Sequence, residues 1–542
     1  MGRNWPKTLA VSGGVLAAGT VAALTLNGLT GGSDGSDGSD GASGKHGTDD
    51  RAGASRTPGP KPPTGPARLG PEPSAIPSVR DWQPVRGPGW KPTKWTRVVA
   101  TRASLADEAE LLAAELKVPV SKGPARTGDI ELKTSGKTGD GGREAYTLTS
   151  GKGRITVSGG SDAGVFYGTR TLLQTYRAQG RFADGTVKDA PDRPQRGFSL
   201  DIARKHFSAE WIEARIREMG DLKLNQLQLH LSDDQAFRVA SDSHPEVVSD
   251  QHLTKAQVRK IVKLAASRHI TVIPEIDSPG HLGAVLKAHP DLQLRSASGS
   301  VARGAIDISK PKAAKIVDDL LGEYADLFPG RYWHLGGDEY QALMTENPSR
   351  SYPGLAAKAR SAHGGAADIQ DLATAWLNDR AATVRKHGKV PQVWNDGMHR
   401  DGTVKPSKGR EVAYWTGKEI GARQPEEYLK EGWKVLNLND EYLYYVLGQP
   451  NDFTYPTGKR IYEEWTPAVL RGTKPVPSRW AGSDRIPGAR FAVWGDLANA
   501  QTTEQVAKGI RMPLKATAQK IWNPAEPKLS WPEFSALANK VE

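Results

Sequence analysis

Between Arg196 and Asp496 one pattern of apolar and polar positions recurs. A short apolar, β-rich run ends in a cluster of acidic or aromatic residues. The runs are GFSLDIAR, NQLQLHLSDD, ITVIPEID, YWHLGGDE, VPQVWND, EVAYW, KVLNLND and RFAVWGD, eight in all. Most are followed by stretches with apolar residues at helical spacing. In SAEWIEARIREMGDLK, Ile212, Ile216 and Met219 share a face. In TKAQVRKIVKLAASR, Thr254 and Gln257 form a capping-box pattern ahead of Val258, Ile261, Val262 and Ala265. Strands alternating with helices predict a (β/α)8 TIM barrel over residues 191–542. The stretch from Asp396 to Tyr414 is too short for a helix, so the barrel is expected to lack one there. Upstream, TRVVAT and GRITVSG read as strands, and LADEAELLAAELK and DAGVFYGTRTLLQTYR as helices. They predict a small α/β domain over residues 76–190. It carries no compact set of acids, histidines or glycine loops and is read as structural.

The first 75 residues read differently. Arg3 and Lys7 precede a run from Leu9 to Leu29 with no charged residue. Residues 1–30 are therefore expected to be an export signal, or a retained N-terminal membrane anchor, since no clear cleavage site follows. GSDGSDGSDG and TPGPKPPTGP make residues 31–75 a flexible to extended linker. The body is thus expected to be secreted or extracytoplasmic, attached through its N-terminus to membrane or wall if the anchor is kept. With no cysteine in 542 residues, disulfides, thiolate metal sites and a cysteine nucleophile are excluded. The net charge of +12 comes without a long basic block or a nucleic-acid module signature. It is read as a surface property, and no nucleic-acid partner is expected.

Chemistry in such barrels sits at the C-terminal strand ends. Here those ends carry acids, Asp201, Asp233, Glu275, Asp277, Asp338, Glu339, Asp396 and Asp496 among them, together with Trp394, Trp415 and Trp494. A single acid there could be a helix N-cap, and a single tryptophan could be core. Together they suit a sugar, whose ring faces stack on indole and whose hydroxyls bond carboxylates. Glu275 and Asp277 share the third strand, and one of them is expected to face away from the mouth. HLGGDE is the sharpest motif. Neighbouring side chains of an extended strand face opposite sides. Asp338 and Glu339 therefore reach one mouth only if the backbone bends, as Gly336-Gly337 permits.

Over roughly Trp95 to Trp522 the chain resembles the glycoside hydrolase family 20 β-N-acetylhexosaminidases. GFSLDIARKHF, HLSDDQAFR, PEIDSPGH, HLGGDE, VWND, YWTG and VWGD each resemble a motif of that family. The resemblance implies a retaining exo-glycosidase that removes a terminal β-linked N-acetylhexosamine from an oligosaccharide or glycoconjugate, with no cofactor and no metal. It implies substrate-assisted catalysis, in which the sugar's 2-acetamido oxygen attacks the anomeric carbon and forms an oxazolinium-like intermediate. By that resemblance Glu339 is general acid and then base, and Asp338 holds the acetamido N–H. Tyr442 is expected to hold the acetamido oxygen, with Tyr445 as the alternative. Trp394, Trp415 and Trp494 would wall the pocket. Arg204 would bond the 3- and 4-hydroxyls, and Asp496 the 4- or 6-hydroxyl. Asp233 and His281 would pair in support of the acid, and Asp201 would orient Arg204.

Two departures bear on substrate choice. Trp494-Gly495-Asp496 stands where most members have Trp-x-Glu, and Tyr442-Leu443-Tyr444 where Tyr-x-Asp is usual. YLYYVLG resembles the lacto-N-biosidases of the same family, which release a disaccharide. Arg204, suited to a free 3-hydroxyl, favours release of the monosaccharide. A secreted glycan-binding protein is the non-catalytic alternative, disfavoured by the presence of both Asp338 and Glu339. Metal-dependent hydrolysis through His230, Asp233, Asp234, His281 and Asp338 lacks any paired-histidine helix motif. The Pro-rich stretch from Gln449 to Arg485 is expected to be an insertion that rims the pocket.

Overall fold

The computed structural model describes residues 68–135, 142–415 and 422–542. Residues 1–30, expected to be an export signal or anchor, and the following residues up to 67 lie outside the described residues, as do Thr416 and Gly417 of the YWTG motif. All eight runs form strands. They are β1 (Gln195–Asp201), β2 (Gln226–Ser232), β3 (Thr271–Ile276), β4 (Tyr332–His334), β5 (Val390–Trp394), β6 (Glu411–Tyr414), β7 (Lys434–Asn437) and β8 (Gly488–Trp494). Each pairs in parallel with the next, and β1 pairs with β8 to close the barrel. β7 meets β8 at one position only, Asn437 opposite Ala489. The chain then makes a one-turn helix, Asp440–Leu443, and resumes as a short strand, Tyr444–Val446, along the outer end of β8.

The outer layer contains α1 (Ala209–Asp221), α2 (Lys255–Ala266), α3 (Pro311–Leu327), α4 (Ile369–Lys386), α5 (Pro425–Lys430), α6 (Gly458–Glu464) and α7 (Thr503–Trp522). Between β5 and β6 the described residues hold no α-helix, only the tight turn Asn395–Gly397. α1 buries Ile212, Ile216 and Met219, and Ser208 caps it by accepting from Trp211 N–H. α2 starts at the Thr254–Gln257 capping box. The stretch from Gln449 to Arg485 departs from its expected role as an insertion. It supplies α6, which packs on α7 as an ordinary outer helix.

The small domain is a seven-stranded mixed sheet with two helices, Ala106–Leu116 and Asp162–Gln179. The second helix packs on the sheet and also contacts the barrel: Gln174 Nε2 donates to the carbonyl of Asp221 at the end of α1, at 2.7 Å. Trp522, the last residue of α7, is buried in the small domain's apolar core. Arg196 of β1 lies 5.1 Å from the Trp522 ring and 5.4 Å from Tyr167, and pairs with Glu144 at 2.7 Å.

Lys223, fully buried in this seam, sits 4.5 Å over Trp522 and donates to Thr171 Oγ1 (2.8 Å) and Tyr146 Oη (3.0 Å). Burial holds its pKa down at about 8. An unfolded lysine titrates near 10.4. Between those values the folded chain binds fewer protons than the unfolded one, so Lys223 makes stability rise from about pH 8 towards pH 10. Urea unfolding at about pH 7.5 and about pH 9.5 should show that rise, and Lys223→Met should remove it. An equal rise in the variant would assign it to other groups.

Candidate active site

Gly336 and Gly337 take φ of +67° and +103°, and Glu339 takes +46°. A side chain at Gly336 would meet Asp277 Oδ1 at 1.8 Å, so only glycine fits that turn. The bend is pinned on both sides: Gly337 N–H donates to Asp277 Oδ1 (2.7 Å) and Glu339 N–H to Asp396 Oδ2 (3.0 Å). Asp338 and Glu339 consequently line the same pocket, although they are neighbours in sequence. Its volume is about 180 Å³.

The pocket walls are Trp394, Trp415, Trp494, Tyr444 and Phe453, with Arg204, Asn451 and Asp496 as further polar groups. Trp415 and Tyr444 stack nearly parallel, 5.8 Å apart with 3° between planes. Trp494 tilts against Tyr444 and Trp394, 5.8 Å from each. Polar contacts fix two of the indoles: Trp415 Nε1–H donates to Asp396 Oδ1 (3.1 Å) and Trp394 Nε1–H to Glu275 Oε1 (2.8 Å). Asn451 and Phe453 come from the Pro-rich stretch, so its first few residues do reach the rim.

A chain of charges runs beneath this pocket. Arg204 binds Asp201 (3.0 Å) and Asp233 (2.8 Å). Asp233 also contacts His230 Nε2 (2.8 Å) and His281 Nδ1 (3.4 Å). His281 Nε2 lies 3.5 Å from Glu339 and 3.6 Å from Asp338. Burial disfavours a charged His281, but the carboxylates of Asp338 and Asp233 outweigh it and hold the pKa well above that of free imidazole. The hydrogen bond from His281 in turn lowers Glu339, against the effect of burial. Burial and the charge of Asp338 raise Asp396 to about 8, and the same two causes push Asp277 well above the carboxylate range. Of four clustered carboxyls, two are thus held neutral around the catalytic candidates, the pattern by which one site separates acid from base. Asp277, His281 and Asp338 are close enough to surround a cation. Asp277, held protonated, faces Asp338 as a donor, while His281 acts on Asp338 through its charge at 3.6 Å.

Three expectations need correction. Tyr442 is not in the mouth. It sits on the one-turn helix, donates to Glu464 (3.1 Å) and lies under Arg460 (4.4 Å). Tyr445 also points away, bonded to Gln501 and stacked on Tyr455. The tyrosine that reaches the pocket is Tyr444. The phase of YLYYV was not readable because a helical turn gives way to a strand within it. Glu275 and Asp277 do not part either. Two residues apart on extended chain, they face the same side: Glu275 braces Trp394, His230 and His334, and Asp277 braces the glycine bend.

The model of glycosyl hydrolase family 20, catalytic domain, matches residues 194–525, and that of the family's domain 2 matches residues 72–190. The chain belongs to glycosyl hydrolase family 20. A lacto-N-biosidase of Bifidobacterium bifidum is 31% identical over 479 residues, 86% of this chain and 41% of that protein. A beta-hexosaminidase of Porphyromonas gingivalis is 32% identical over 307 residues, 51% of this chain and 38% of that protein. The family 20 chain therefore spans about two fifths of the length of these two curated relatives. A mutant Streptomyces plicatus beta-hexosaminidase, solved in complex with its product GlcNAc, superposes with a TM-score of 0.70 at 26% identity, covering 88% of this chain and 95% of that one.

Proposed function

We propose that the protein is a retaining exo-β-N-acetylhexosaminidase that releases a terminal N-acetylhexosamine by substrate-assisted catalysis. The observation that carries this reading is the convergence of Asp338 and Glu339 on one small aromatic pocket. Asp338 accepts the acetamido N–H, and the Tyr444 hydroxyl donates to the acetamido oxygen. That oxygen attacks the anomeric carbon while Glu339 gives its proton to the departing glycosidic oxygen. The carbon–oxygen bond to the leaving group breaks and an oxazolinium closes. Glu339 then takes a proton from water, which attacks the anomeric carbon and reopens the ring. Two inversions give retention. The proton needed by Glu339 is shared with His281, and a sugar that dries the pocket favours the neutral pair over the charged one. Glu339 also lines a second cavity of about 630 Å³, towards Met344, Arg400 and Arg423, which has room for the leaving group.

A second reading, release of a disaccharide, is favoured by the Bifidobacterium relative and by the short acid Asp496. Against it stands Arg204, which lines the pocket beside Asp496 and is fixed there by two carboxylates. The deciding experiment compares aryl β-GlcNAc with aryl β-lacto-N-bioside. Preference for the GlcNAc glycoside is expected. Preference for the disaccharide would overturn the exo-monosaccharide reading but keep the mechanism. Saccharide binding without turnover of either would make the protein a glycan-binding one. Action outside the cytoplasm is part of this proposal, and the uncharged apolar run from Leu9 to Leu29 supports it. Finding the chain in the medium or envelope fraction, and not in the cytosol, would check this.

A further inference from the structure

The barrel's second and third strand-to-helix loops, residues 233–254 and 277–310, meet in a cluster of groups that the glycosidase reading does not use. His244 and Glu246 belong to the turn around Pro245–Val247, and His289 follows the short helix Gly283–Ala288. His244 Nδ1 and His289 Nε2 each lie 2.9 Å from the same atom, Glu246 Oε1. The two histidine side chains are only 14% and 15% exposed, while Glu246 is 41% exposed, so the cluster opens to water on one side.

We propose that His244, Glu246 and His289 bind one divalent transition-metal ion, zinc by chemical class, and that this ion fastens the second loop to the third. Two imidazoles and one carboxylate, with water in the remaining position, form a donor set suited to zinc. All three ligand atoms lie within 4.8 Å of one another. Zinc bonds of about 2.0–2.2 Å place tetrahedral ligand atoms roughly 3.3 Å apart, a few tenths of an ångström wider than the present contacts.

Asp319 is the independent observation. From α3 it faces the other nitrogen of His244, Nε2, at 3.1 Å, and Lys315 holds Asp319 at 2.6 Å. A carboxylate behind a histidine is the arrangement that fixes the tautomer of a metal ligand. It leaves Nδ1 of a neutral His244 with a lone pair directed at Glu246. That lone pair and the carboxylate oxygen repel unless a proton or a cation lies between them. Residue 289 lies 43 positions beyond residue 246, so sequence spacing gave no metal signature. Both loops also carry site residues, Asp233 and His281, so the ion would steady the pair beneath Glu339 without touching substrate.

The test uses the full chain, produced without a histidine tag and stripped with chelator. Calorimetric titration with zinc chloride should show one equivalent bound per chain, and the melting temperature should rise with zinc. His289→Ala and His244→Ala should abolish both effects, and Asp319→Asn should weaken binding by about 10–100-fold. Glu246→Gln changes a more exposed residue and serves where a histidine variant folds poorly. Cobalt(II) should give the visible absorption of a low-symmetry site in the parent chain alone. Binding below one equivalent, or binding unchanged by both His289→Ala and Glu246→Gln, would overturn the proposal.

Discussion

Replacing Glu339 with glutamine is expected to lower kcat/KM on an aryl β-N-acetylglucosaminide by about 10²–10⁴-fold, the range for loss of a general acid–base. The amide keeps the shape of the carboxyl and can still accept from His281, but it has no proton to give. The size of the loss should depend on the leaving group. A phenolate of low pKa departs without protonation, so the first step recovers and only the missing base is felt. A poor leaving group should show the full loss. Asp338→Asn should behave otherwise. The acetamido group must be oriented and its developing charge balanced for every substrate, so the expected loss of about 10²–10³-fold should not vary with leaving group. Steady-state kinetics on a series of aryl glycosides measures both slopes. If the Glu339 variant kept the parent's dependence on leaving-group pKa, another residue would have to be the acid.

The barrel was legible because its strands carry apolar runs that end in polar clusters at one end. Part of the pattern carried more than was read from it. In NQLQLHL the alternation is strict: Leu227, Leu229 and Leu231 belong to the apolar core, while Gln226, Gln228 and His230 are tied into buried polar contacts. Arg490 is fully buried, donates to Gln226 (2.9 Å) and Gln392 (2.7 Å), and is held down to about 10 by burial. Such an interior is affordable only when every member finds a partner across strands, and one strand's sequence cannot show that. The carboxylate pair was legible because two glycines precede it, and the required bend has a direct backbone cause. The supporting acids Asp277 and Asp396 were visible as strand-end acids, but their protonation follows from burial and from proximity to Asp338, both of which only the fold creates. The short α6 escaped notice because proline-rich flanks masked its helical stretch.

Tyr444→Phe is the sharper test of the corrected site. The ring would keep its stack on Trp415 and its place beside Phe453 and Trp494, so the pocket's shape and the fold should survive. Only the hydroxyl disappears, and with it the donor assigned to the acetamido oxygen. An oriented donor of this kind is worth about 10²–10³-fold when it acts mainly in the transition state. The loss should fall mostly on kcat, because the hydroxyl meets an oxygen whose bonding changes as it attacks. Tyr442→Phe should leave kcat/KM nearly unchanged. Its hydroxyl bonds Glu464 on α6, so its removal costs one half-exposed hydrogen bond of about 0.5–1.5 kcal/mol in stability. Kinetics and thermal melts on the two variants therefore give opposite signatures. A large kinetic loss in Tyr442→Phe, with Tyr444→Phe near the parent, would return the acetamido contact to the helix and require the Asp440–Leu443 turn to rearrange around substrate. The same loss in both would point to the whole segment from Asp440 to Val446 moving as a unit when sugar binds.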